Sequence, residues 1–165
     1  MNTLDFIILG ITVLFGVWGF KQGFMEALGG ILGVVIATIL SGKFFLWLAD
    51  FFGGSNLASV VAFLLIFAIT LKVVGFVFWF FGKIFKLIAV LPFVDSFNRV
   101  LGVVLGLLQG VLICTVAVYL LNKYPLNGWF VTQLQTSFIA DILLTISIIF
   151  LPLLPESLRK LRGIL

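Results

Sequence analysis

The chain has 165 residues, of which 63% are hydrophobic and 10% charged, with a net charge of +4 and a mean hydropathy of +1.36. A soluble domain carries about 25% charged residues, so this composition excludes one and reads as a single integral membrane domain over residues 1–165. One cysteine, Cys114, and no histidine exclude intrachain disulfides, histidine acid–base chemistry, and zinc or haem sites built on Cys and His ligands.

A bilayer core takes about 20 residues of helix. The apolar runs predict an all-α transmembrane bundle with four spans, at about 4–21, 24–45, 57–82 and 99–121, and a C-terminal hydrophobic helix at about 137–154. The opening MNTLDF has no basic segment, and the run after it lacks a small-residue exit. The first span is therefore expected to stay as a membrane helix, with Asp5 at headgroup level.

The second span begins near Phe24, carries Glu26 and runs toward KFFLWLADFF. There Lys43 can snorkel to the interface, and Phe44, Phe45, Trp47, Phe51 and Phe52 form either an aromatic belt or ordinary lipid-facing surface. The turn GGSN follows, with Ser55 or Asn56 placed to cap the third span. That span contains Lys72, an isolated charge of the kind that marks a functional position in a membrane. It either snorkels or pairs with Asp5, Asp50 or Asp141 inside the bundle.

LPFVDS separates the third span from the fourth, because Pro92 prevents a continuous helix. Arg99 at the mouth of the fourth span is either a topology anchor or a partner for Glu26. NKYPLNGW ends this span. In the tail, Ser137, Asp141 and Thr145 recur at four-residue spacing and give one polar stripe. Such a helix lies in the interface or against the bundle, or makes a fifth crossing.

Small residues recur at the same spacing in three places: Gly19, Gly23 and Ala27; Gly29, Gly33, Ala37 and Ser41; and Gly102, Gly106 and Gly110. Glycine weakens a helix in water by about 0.8–1.0 kcal/mol relative to alanine, so these ladders need a use. In lipid they let backbones approach closely. The faces can mate with each other or with a second copy, or line a path. As a packing face, Gly106 should accept a methyl more readily than an isobutyl group.

The basic residues stand singly, apart from Arg159, Lys160 and Arg162. That pattern sets topology and lacks the concentrated basic face of a nucleic-acid binder. Lys21, Lys83, Lys86 and Arg99 fall in the first and third loops, against Lys43 and Lys123 on the other side, which favours an outside N-terminus.

The pattern of Asp5, then GFKQGFMEALGGILG and later FNRVLGVVLGLLQG, resembles the CvpA family, the colicin V production proteins of bacterial inner membranes. Gly19, Lys21, Gly23, Phe24 and Glu26 match its first motif, whereas Asn98 and Gln109 stand where the family usually has an aspartate and a basic residue. The resemblance implies a non-enzymatic, cofactor-free protein linked to export of a secreted peptide toxin and to envelope integrity. Its partners would be membrane lipid, other envelope or export proteins, or a second copy. In some relatives a serine protease domain follows on the outer side. The other class open to these residues is a small transporter or channel, with Lys72 and a glycine face along its path. An intramembrane enzyme is disfavoured, since the sequence offers no histidine, no evident Ser-Lys pair and no paired membrane carboxylates.

Overall fold

A computed structural model describes residues 2–88 and 92–150, with side chains placed at 2–84 and 96–147. Its described residues form six helices: α1 (Thr3–Gln22), α2 (Phe24–Phe51), α3 (Asn56–Ile88), α4 (Pro92–Lys123), α5 (Gly128–Thr136) and α6 (Phe138–Phe150). The first four are long and apolar enough to cross a membrane, and α5 with α6 makes an elbow bent by 87° that can count as a fifth, broken span. Large apolar side chains such as Leu14, Trp18, Phe51 and Ile69 face outward, as lipid-facing helices require. At 1.5 Å per residue, the 33 residues of α3 reach about 50 Å. That exceeds a hydrocarbon core of about 30 Å, so the helix tilts or projects.

The helices form two antiparallel pairs, α1 with α4 and α2 with α3, joined where α2 meets α4. One core cluster, including Val34, Phe45, Phe63, Phe67 and Leu112, lies among α2, α3 and α4. The other, with Leu4, Ile8, Cys114, Val118 and Leu143, joins α1, α4, α5 and α6. Helix α4 therefore stands between both cores.

The two pairs use small residues differently. Between α1 and α4 the contact is backbone on backbone: a side chain on Gly19 would run into the Gly102 carbonyl, one on Gly102 into the Gly19 carbonyl, and one on Gly106 into the Phe15 carbonyl. The hydrogens that replace those side chains point at carbonyl oxygens, the arrangement of Cα–H···O contacts. Farther along, a Cβ on Gly110 would lie 2.9 Å from the Thr12 Cα. The seam leaves no room for a path. Between α2 and α3, by contrast, Gly29 receives the Phe78 side chain, and Gly33 faces Leu71 and Val74.

Several elements run past their expected ends. Helix α2 continues to Phe51, because Phe45 is core and not belt: it is fully buried, with edge contacts to Phe63 at 6.0 Å and Tyr124 at 5.7 Å. Phe44, Trp47, Phe51 and Phe52 stay exposed. Gly53 and Gly54, with φ of 86° and 66°, make the turn in a region that other residues rarely enter. Ser55 then caps α3, its hydroxyl accepting from Ala58 N at 3.1 Å. Helix α4 starts at Pro92, a favoured first helical residue, and not near residue 99. The tail helix expected from residue 137 is α6, and it is preceded by a short helix that the sequence reading did not include, α5, with Ser137 at their junction. The side chains of Lys86 and Asp95, and all of 151–165 with Arg159, Lys160 and Arg162, lie outside the described residues.

The geometry of the seam removes the tolerance for a methyl that the sequence suggests. Gly102→Ala and Gly106→Ala should each lower thermal stability in mild detergent by about 1–3 kcal/mol, the range for overpacking. Gly10→Ala and Gly75→Ala, where a side chain meets nothing within 4 Å, should instead gain up to about 1 kcal/mol of helix propensity. Thermal aggregation of the four variants checks the sign at each position.

Candidate functional site

At one membrane face the ends of α1, α2, α3 and α4 meet. Gly23 reverses the chain between α1 and α2 with φ of 82°, and it provides no side chain to cap α2. The missing cap comes from α4: Asn98 Oδ1 accepts a hydrogen bond from Phe24 N at 2.9 Å. The Asn98 amide fills the space where a Gly23 side chain would stand. Next to it, the Arg99 guanidinium lies over the Phe20 ring, 5.7 Å from its centroid. Glu26 is half-buried and lies against Gly82 of α3, whose Cβ would be 3.4 Å from Glu26 Cγ. Lys83 sits over Trp79, 4.0 Å from the ring centroid. Farther into the bundle, Gln109 faces Gly30 of α2 and occupies the space beside it.

At the opposite face Asp5 holds the elbow. It is fully covered and begins α1 in a capping box: Asp5 N donates to Asn2 Oδ1 at 3.1 Å, and Asn2 N donates to Asp5 Oδ2 at 2.8 Å. The other carboxylate oxygen accepts from Ser137 Oγ at 2.5 Å and from Ile139 N at 3.0 Å. One carboxylate thus caps both its own helix and the start of α6, satisfying amide groups that helix ends leave open. Ser137 Oγ also accepts from Ala140 N at 3.0 Å. Asn2 Nδ2 completes the tie by donating to Gln133 O at 2.7 Å and Thr136 Oγ1 at 3.0 Å.

Of the residues singled out in the sequence, Gly19, Gly102, Gly106 and Gly110 meet in the seam, while Gly23, Glu26 and Arg99 gather at the Asn98 face. Gly29 and Gly33 serve the α2–α3 contact. Lys72 stands apart, exposed on α3 among the outward side chains Ile69, Val73 and Phe76. It is not brought to Asp5, whose oxygens are turned to Asn2, Ser137 and Ile139. The stripe of Ser137, Asp141 and Thr145 is also divided. Ser137 turns inward to Asp5, and the other two remain exposed.

Asn98 and Ser137 carry weight that the sequence reading missed. A polar residue 74 positions away in the chain is no visible cap for Phe24. For Ser137, the available signal was a serine followed by Asp141 at the head of an apolar run, a pattern that also suits a helix start.

A family model described as Colicin V production protein matches residues 4–147. Comparisons with curated proteins and with solved structures gave no match.

These two caps give distinct expectations. Asn98→Ala should cost about 1 kcal/mol, as loss of an N-cap does. Asn98→Asp keeps the acceptor, and its charge favours a helix N-terminus, so it should retain wild-type stability. Asp5→Ala should free the elbow, read as faster hydrogen exchange across 128–147 while the α2–α3 pair keeps its protection. Uniform loss of protection would mean that Asp5 supports the whole bundle and not the elbow.

Proposed function

The chain belongs to the colicin V production protein family and is a multi-pass protein of the bacterial inner membrane, and we propose that it is a non-enzymatic component on which production and export of a secreted peptide toxin, and envelope maintenance, depend. The observation that carries this reading is the extent of the match. Residues 4–147 take in all four spans, both capped faces and the elbow. The closed glycine seam argues for a scaffold and against a path along that face. Partners in this reading are other envelope or export proteins, or a second copy.

The orientation that fits is an outside N-terminus. It places Lys21, Lys83 and Arg99, all exposed at the Asn98 face, in the cytoplasm, where short loops collect basic residues. The elbow and its Asp5 tie then face outward.

Three measurements test the proposal. In a bacterium carrying colicin V genes but lacking its own family member, expression of this chain should restore the zone of killing around a colony. A stably inserted protein that restores none would contradict the role. Purified protein in liposomes should produce no solute flux, and flux without partners would favour a transporter. Reporters fused within 83–98 should report cytoplasm, and those beside Ser55 the outside.

A further inference from the structure

The elbow borders an open cavity of about 430 Å³, within the range that holds small ligands. Its wall includes Asn122 at the end of α4, Gln135 near the end of α5, and Asp141 in the first turn of α6. The Thr136 and Ser137 hydroxyls also line it but are already engaged. Thr136 Oγ1 donates to Thr132 O at 2.9 Å and Ser137 Oγ to Asp5. The Asp141 carboxylate and the two carboxamides are exposed on this cavity, and among the described residues none of the three side chains has a hydrogen bond or ion pair.

A carboxylate and two amide carbonyls on one cavity supply acceptors of the kind that a primary ammonium group, with its three N–H donors, requires. The backbone field has the same sign. The carboxyl ends of α4 and α5, which carry partial negative charge, both reach this cavity. The amino end of α6 has the opposite sign, but Asp5 and Ser137 already cap it.

Beside these acceptors the wall is apolar. Phe138 is 69% exposed and Leu144 lies a turn and a half farther along α6, which descends from this face alongside α1 and α4. A polar pocket that opens onto an apolar helix flank suits an amphiphile at the membrane surface. We propose that the elbow cavity binds the ammonium headgroup of an aminophospholipid, phosphatidylethanolamine, with its acyl chain along Phe138 and Leu144.

Methylation of the headgroup gives the test, because phosphatidylcholine keeps the charge and has no N–H donor. Full-length protein in mild detergent is equilibrated with equal amounts of the two lipids carrying identical acyl chains, and the retained lipid is measured by mass spectrometry. Phosphatidylethanolamine should be retained over phosphatidylcholine by about tenfold, the factor for one charge-assisted hydrogen bond. Asp141→Asn should bring the ratio near one, and Asn122→Leu should lower it several-fold. Asp50→Asn, an exposed carboxylate on α2, should leave it unchanged. Unaltered thermal aggregation of each variant shows that the fold is kept. Equal retention by the wild type, or an undiminished preference in Asp141→Asn, would overturn the site. Water-soluble glycerophosphoethanolamine at the same concentration should fail to displace the lipid. Full displacement would overturn the assignment to a lipid and leave a site for soluble ammonium.

Discussion

The backbone contact between α1 and α4 is the constraint on which the rest of the molecule depends. In a bilayer, apolar side chains gain nothing by leaving lipid for one another, so close packing and weak polar contacts must hold helices together. Gly19 against Gly102, with Gly106 against Phe15, brings two main chains close enough for each to offer carbonyl oxygens to the other. That proximity fixes the rotation and height of α4, which joins both cores. Everything that α4 presents at its two ends follows from this placement.

At one end it presents Asn98 to the start of α2, and at the other Asn122 to the elbow. Both faces share a device: a helix end is capped by a side chain from a different helix. Asn98 serves α2 and Asp5 serves α6. In a chain with so few polar groups, one residue that satisfies two helix ends replaces a loop that would bury unpaired amides. It also couples the helices, since α6 cannot leave α1 without exposing its own first turn. A four-helix frame with an elbow secured by one carboxylate suits a membrane scaffold that presents a polar surface to lipid or to partners.

The sequence made the number of spans legible because run length against bilayer thickness is a strong constraint. It also made the glycine ladders legible, since their spacing repeats. Which surfaces those ladders face was not. Gly19 and Gly29 look alike as letters, yet one meets a carbonyl and the other a phenyl ring. Phe45 was indistinguishable from Phe44, because an apolar helix in lipid carries no polar face to mark its inward side. Asp5 read as a headgroup residue for a related reason. Its partners Ser137 and Ile139 are more than 130 positions away, and a capping carboxylate is recognised by geometry. The family resemblance was carried by motifs that now have physical roles, the Gly23 reversal and the seam, while Asn98, a departure from the family pattern, supplies the cap.

The most direct test of the seam is a through-space measurement in bilayers. With glycine labelled by carbon-13, solid-state NMR should show a cross-peak between the Gly19 carbonyl and the Gly102 α-carbon, and its counterpart from Gly102 to Gly19. The account predicts both, at short mixing times, in the full chain. Absence of the pair, in a sample where neighbouring intrahelical glycine contacts such as Gly102 to Gly106 are seen, would contradict it.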